Sequence, residues 1–584
     1  MACFINVNYA VLVNGVPSPF FQAERGLRQG CPLSPLLFIL PINPLSLHIN
    51  RAMENKEYMP IRICKHIHIS HNFFVDDVLL FAMLTKISWI CIKSILDRFQ
   101  KASGLAINKS KSILFHNDSN EAFISWICQL FGVNSKPISN GIKYLGYRLK
   151  PKAFTRDDWR WLIDRFLNKI SLWEYRSLSL GGRVVLAQSV LMQLSVYWAH
   201  LFLLPASIIH SMNRIIANFI WGAKADRNKF HLTKLGLLSM PKFLGGWGLM
   251  DIRTFGKALL CKSLWRGIFN SNPWSAIIRQ KYLKGRSLEF WFRTGSLGIK
   301  QGSAIWLSFR RIEQFFLGNL KWNIFSGTKI FIGLDHLAGL KGNLLIPDPL
   351  LFHLHRSGFF TWDRIIDRWI DPYPILLTAA DLGIPQALVS LWDTFISSIE
   401  QAGLKRSGFD DHLVWSLPLS NLQASGRVIY MELISMKNRP IRKIFPVLWW
   451  KLACPLKLIL FAWLVFHNKN LSWENLRKRS WHGPNRCVFC KMEEETNFHM
   501  FFNCRISLHV WYDIASFFSF QRPNFSSVDA AFTWWGGQNA NIRPILPTTI
   551  WCLWKWRNLK VFEDSNISSN YVLSSVLALY PSHT

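Results

Sequence analysis

Phe73-Phe74-Val75-Asp76-Asp77-Val78-Leu79-Leu80-Phe81 decides how this chain is read. Two adjacent carboxylates lie between runs rich in β-branched and aromatic residues, His66 to Val75 and Val78 to Ala82. That pattern predicts a β-hairpin with the acids at its tip. Neighbouring side chains on extended backbone point to opposite faces, so at most one Asp faces a given site directly. Asp-Asp in a turn is also ordinary turn chemistry. The flanking sequence has to decide between the two.

Composition narrows the classes. The chain has 584 residues, half of them hydrophobic, with 28 Trp, enough for packed cores in three or four domains. A net charge of +33 rests on only 35 acids and implies a polyanionic partner, most simply nucleic acid. A ribosome-like or membrane-surface basic protein is the alternative. Val184 to Leu204 carries no charged residue but contains Gln188, Gln193 and His200 and runs into Pro205, so it reads as a buried helix rather than a span. Cys31 to Ile49 is equally uncharged, yet Pro32, Pro35, Pro41 and Pro44 argue against a continuous helix there. The first residues lack a signal-peptide layout, and 11 scattered cysteines fit a reducing compartment, nucleus or cytoplasm.

Upstream of the hairpin lies Arg25-Gly26-Leu27-Arg28-Gln29-Gly30-Cys31-Pro32. Downstream lie Ser103-Gly104-Leu105, Asn108-Lys109-Ser110-Lys111-Ser112 and Lys143-Tyr144-Leu145-Gly146-Tyr147. In this order the set resembles the polymerase core of plant LINE-type (non-LTR) retrotransposon reverse transcriptases. The resemblance implies catalytic roles for Asp76 and Asp77 with Mg²⁺, and template or nucleotide binding by Arg28, Gln29, Gly30 and Lys111. Val75 stands where Ala is usual in that family. For Lys109 and Lys111, a solvated pair is the competing reading.

Two-metal phosphoryl transfer needs carboxylates from more than one backbone segment. No Asp occurs before Asp76, and the resemblance would place a further one on a strand upstream of Arg25. The expectation is an N-terminally truncated palm, inactive as a polymerase on its own.

Residues 85 to 100 have apolar positions at helical spacing, and Gly104 is a natural stop. The region 151–282 reads as mostly helical and resembles the thumb-like part of the family, notably at Gly181-Gly182-Arg183, Phe219-Ile220-Trp221-Gly222 and Pro241 to Leu249. Basic residues there, among them Lys224, Arg227, Lys229, Lys234 and Lys242, suit a grip on a duplex or any solvated surface. Residues 283–434 read as a loosely built α+β connector, partly disordered, with no chemistry assigned.

Cys487, Cys490, His499 and Cys504 form a C-x2-C-x8-H-x4-C set. Three thiolates and an imidazole complete a tetrahedral Zn²⁺ shell, and a closed shell is structural rather than catalytic. Around it, Trp449-Trp450-Lys451, Phe461-Ala462-Trp463 and His509-Val510-Trp511 resemble the zinc-binding domain found after the polymerase in the same family. Arg477-Lys478-Arg479, with Trp481 behind them, place cations and a stackable ring beside the metal set, as single-stranded nucleic acid requires. A solvated helix end is the alternative. In related proteins a ribonuclease H domain often comes after Trp556-Arg557-Asn558; here only Glu563 and Asp564 remain as acids, so none is expected.

The sequence therefore predicts an α+β chain with a truncated palm (1–150), a helical thumb-like region (151–282), a variable connector (283–434), a zinc-binding domain (435–520) and a tail (521–584). Its partners would be RNA and DNA, as template and primer, and no membrane. The rival readings are a non-catalytic, zinc-dependent RNA or single-stranded-DNA-binding remnant and the product of a decayed element.

Overall fold

The computed structural model describes residues 8–22, 31–117, 120–151, 154–173, 178–222, 230–284, 286–294, 302–337, 346–415, 425–437, 443–563 and 568–580. They fall into two compact units, Met1–Ala153 with Arg266–Ser303 and Phe154–Trp265 with Ala304–Thr584. Helices alternate with small two-stranded sheets throughout, an α+β architecture.

In the first unit the helix Lys86–Ser103 forms where its apolar period places it. The Thr85 side chain caps its start by accepting the Ser88 N–H, and Gly104 ends it at φ +71°. Its Ile92, Ile95 and Leu96 pack with Leu45, Ile49 and Ala52 of the helix Ser34–Glu54 and with Phe73 and Leu80 of the hairpin. Near the start of the chain, Leu12–Val13 pairs with Val16–Pro17 across Asn14-Gly15, both at positive φ as this turn demands.

The helix Ser34–Glu54 corrects the expectation drawn from its prolines. It runs unbroken through Pro41 and Pro44. The two helix bonds that Pro41 and Pro44 cannot make, to the Leu37 and Leu40 carbonyls, fall in its N-terminal half, where no residue is fully buried. Burial of Leu45, Ile49 and Ala52 holds the other half.

In the second unit, Val184 to Ala199 is helical as expected, and His200 to Leu204 leave the helix before Pro205. Leu180–Leu186 continues through a π-turn at Ala187–Leu191 into Met192–Ala199. Among the described residues no helix is long and apolar enough to cross a membrane. The described part of the connector is not loosely built. Trp306, Trp322 and Trp392 are fully buried, and Leu320–Asn323 pairs with His412–Trp415. The Asp411 carboxylate accepts the backbone N–H groups of Phe325, Ser326, Gly327 and Lys329. Burial raises its pKa, but these donors outweigh burial and leave it below the usual carboxylate range. Short apolar runs broken by Gly and Pro hide such a core from any periodic reading.

Candidate functional site

His71–Phe74 and Asp77–Leu80 form the expected hairpin, with Phe74 opposite Asp77, so Val75 and Asp76 make a two-residue turn. Val75 takes φ +53°, a region that β-branched side chains avoid. Both carboxylates are exposed at the tip. The base of the hairpin is fixed by polar groups. The Tyr58 hydroxyl lies 2.7 Å from the Ser70 carbonyl oxygen and 2.8 Å from that of Phe81, bridging the strand before the tip to the strand after it. The His71 ring sits between the hydroxyls of Ser46, at 2.7 Å, and Ser70, at 2.9 Å, tying the helix Ser34–Glu54 to the hairpin.

The Tyr-Leu-Gly block comes to the same place. Leu145 and Gly146 turn at positive φ between Ile142–Tyr144 and Tyr147–Leu149. The Tyr144 hydroxyl lies 3.5 Å from Asn72 Nδ2. Burial, and then the charge of Asp77, push the Tyr144 phenol above its ordinary pKa. Lys109 folds its stem against Gly132, at the C-terminal end of the helix Glu121–Phe131, while Lys111 is exposed in the turn after Asn108. Arg28, Gln29 and Gly30 lie outside the described residues.

Among the described residues, one set of three or more ligand side chains converges, and it is Cys487, Cys490, His499 and Cys504. Their ligand atoms all lie within 4.8 Å of one another and all four residues are buried. On a tetrahedron with Zn–S bonds of about 2.3 Å, two sulfurs stand about 3.8 Å apart; Cys487 Sγ and Cys504 Sγ are 3.9 Å apart. His499 turns Nε2 inward, 3.3 Å from Cys490 Sγ. Its Nδ1 lies 2.9 Å from Glu493 Oε2, close enough to pair though off the line of an ideal hydrogen bond. A carboxylate there orients a metal-ligating imidazole.

Local backbone explains the spacing. After Cys490 the chain turns at Lys491, φ +60°, and the Met492 N–H points at Cys490 Sγ from 3.5 Å. His499–Asn503 is a π-turn, closed by the Cys504 N–H on the His499 carbonyl at 2.7 Å. Cys504 then caps the helix Arg505–Phe517. A hydrogen bond from Cys487 and the N–H groups of Ile506 and Ser507 hold its thiol down at about 5. The donor set is soft, closed and pre-folded, which is what a structural Zn²⁺ needs.

Residues 3–149 match the family model described as reverse transcriptase (RNA-dependent DNA polymerase), and residues 427–511 match one described as zinc-binding in reverse transcriptase. Together with the relatives below, these two matches support a reverse transcriptase of a non-LTR retrotransposon. It is 25% identical over 446 residues to an Arabidopsis thaliana protein named for ribonuclease H, covering 71% of this chain and 66% of that one. It is 24% identical over 360 residues to a 149 kDa protein of the Xenopus laevis transposon TX1, covering 60% of this chain and 25% of the relative. A mitochondrial protein of Arabidopsis thaliana is 43% identical over 67 residues, 11% of this chain and 55% of its own length. The chain thus spans less than two thirds of each of these relatives.

In this chain the zinc-binding part and the helical region before it share one core. The helix Leu456–Phe466 is buried on nearly every side. Trp463 Nε1 donates to the Gly245 carbonyl at 2.6 Å, and the rings of Trp221, Trp247 and Trp463 contact in series. A Cβ on Gly181 would stand 3.0 Å from Lys457 N, and one on Gly222 only 2.1 Å from the Arg183 guanidinium. Three thumb-like sequence blocks are therefore packing elements around the helix Leu456–Phe466.

The residue that sequence reasoning missed is Arg557. Its guanidinium grips buried Glu495 through two hydrogen bonds, of 2.8 and 3.2 Å, and Glu495 also accepts the Trp473 N–H at 2.9 Å. Glu495 stands in the loop between the second and third metal ligands, so Arg557 links the helix Ile545–Phe562 to the metal site. Removing one partner of such a pair strands a buried charge. Arg557→Ala should cost about 3–5 kcal/mol, read as a lower urea midpoint at unchanged zinc content. A loss under about 1 kcal/mol would place the pair with weak surface bridges.

The proposed nucleic-acid cations all have protein partners. Arg477 pairs with Glu494 at 3.6 Å, Lys478 with Glu474 at 2.6 Å, and Arg479 reaches the carbonyls of His231 and Leu232. The first two pairs are more than half exposed on the basic side and so are weak.

Proposed function

We propose that this chain binds RNA or single-stranded DNA, and template–primer, along a basic surface that includes Arg477, Lys478 and Arg479. We further propose that Asp76 and Asp77 are part of the metal site of an RNA-directed DNA polymerase. The observation that carries the catalytic reading is the exposed Asp76-Asp77 tip with Tyr144 beside it, inside the region that matches the polymerase family. Mg²⁺ held there would supply activation of a primer 3′-hydroxyl and neutralisation of the pyrophosphate leaving group. Asp76 and Asp77 would ligate it, and Arg28, Gln29, Gly30 and Lys111 would position template, nucleotide and phosphate oxygens. Mg²⁺ is held by one or two carboxylates together with substrate phosphates. Two ions need carboxylates from a second segment as well, and among the described residues no third ligand joins this pair. We infer that polymerisation requires an additional carboxylate-bearing strand. A chimera given that strand from a related element should extend a primer and lose this on Asp76→Ala. A chimera that extends equally well with Asp76→Ala would remove Asp76 from the site.

The second reading, a non-catalytic binding protein of nucleus or cytoplasm, is favoured by the +33 charge. Lys and Arg that neutralise phosphates release counterions, so affinity should fall steeply with salt. Replacing Arg477, Lys478 and Arg479 together by Ala should reduce the log–log salt slope on a single strand by up to about two, at roughly 0.7 per phosphate contact. An unchanged slope would take these three residues out of the interface.

A further inference from the structure

We propose that Phe230 and Trp481 form a two-ring stacking platform for the bases of a single-stranded nucleic acid. The inference rests on the binding reading above and names the surface that performs it.

The two rings come from segments 251 positions apart. Their centroids are 6.1 Å apart in a T-shaped pair, yet each ring is about half exposed, 50% for Phe230 and 48% for Trp481. The local backbone presents them outward. The helix Trp473–Arg477 ends in a turn where Ser480 takes φ +64° and the Trp481 N–H bonds back to the Leu476 carbonyl. Arg479 fixes the other segment from two sides. It donates to the carbonyls of His231 and Leu232, and its guanidinium carbon lies 5.8 Å from the Phe230 ring centroid.

A large aromatic pair normally sinks into a core, because half-exposed rings forfeit much of their burial energy. Here the pair is kept at the surface with Arg477, Lys478 and Arg479 next to it in sequence, in a chain of net charge +33. Rings for bases and cations for the backbone are the two components of sequence-tolerant single-strand recognition. A duplex hides its base faces within the stack and offers nothing to such rings.

The zinc-loaded full chain would be titrated against labelled (dT)12, (U)12 and a blunt duplex across a salt series. Phe230→Ala and Trp481→Ala should each weaken single-strand binding at least about fivefold, the lower bound for one stacked base. The salt slope should not change, because no phosphate contact is removed, and duplex binding should hold. Trp481→Phe should restore most of the affinity, and zinc content should stay at wild-type level. Losses under twofold, or equal losses on duplex and single strand, would overturn the platform while leaving the wild-type binding intact. A wild-type chain that ignores both single strands at low salt would overturn the binding reading and the platform with it.

Discussion

Stripping zinc from this protein should unfold the segment around residues 485–511 and loosen the core of the whole second unit. Metal binding in closed Cys/His sites is worth an apparent 10–16 kcal/mol (about that range in small zinc peptides at neutral pH), and most of it is folding energy. Apart from the metal, the loop between Cys487 and His499 is held mainly through Glu495, gripped by Arg557 and the Trp473 N–H, and through Asn497 on Asn468 and Asn470. The residues just beyond His499 are heavily buried: Met500, Phe501 and Phe502 are at most 2% exposed, Trp511 Nε1 donates to the Phe501 carbonyl, and Phe461 meets Phe501 edge to face. Loss of the metal leaves three thiols and an imidazole buried together, and the path runs from there to the helix Leu456–Phe466. The full chain should carry one zinc. Chelation at neutral pH should reduce helical circular dichroism and shift Trp fluorescence to the red, and Cys504→Ala should copy both changes. Acid should do the same, since protons compete for the thiolates and the imidazole, so zinc is lost as pH falls. A chain that holds no zinc, or melts unchanged after chelation, would contradict a structural metal at these four residues.

Local signals were legible in the sequence. Alternating strands around Asp76 and Asp77 gave the hairpin, the stop Gly104 ends a helix whose period was already clear, and the spacing of four ligands brought one site together. Each depends on neighbours in sequence, where spacing fixes geometry. Proline misled where local cost met tertiary gain: Pro41 and Pro44 remove two helix bonds on a stretch where no residue is fully buried, and burial further along outweighs them. Long-range pairings left no trace. Nothing in sequence joins Arg557 to Glu495, Trp463 to Gly245 or Phe230 to Trp481, because such partners are chosen by the packed core rather than by period. The three thumb-like blocks were visible as motifs, yet their shared task around the helix Leu456–Phe466 was not.

The second large effect concerns catalysis. The hairpin places Asp77 on a strand and Asp76 in the turn, both open to solvent, so they can present oxygen ligands to a metal bound with nucleotide phosphates. Among the described residues, neither hairpin strand pairs with a third strand that would bring another acid alongside. Rate enhancement by a pair of ions depends on holding both the attacking and the leaving oxygen, and a site that holds one ion poorly forfeits most of it. Unpaired edges on both sides of the hairpin should also favour aggregation of this region at high concentration.

The most direct measurement is template-dependent primer extension by the 584-residue chain, with Mg²⁺ or Mn²⁺, on RNA and DNA templates to which binding has been verified in the same sample. Bound template–primer and no extension are the expected results. Extension by this chain alone that disappears on Asp76→Ala would contradict the requirement for a further strand, by showing that these residues already assemble a working two-metal site.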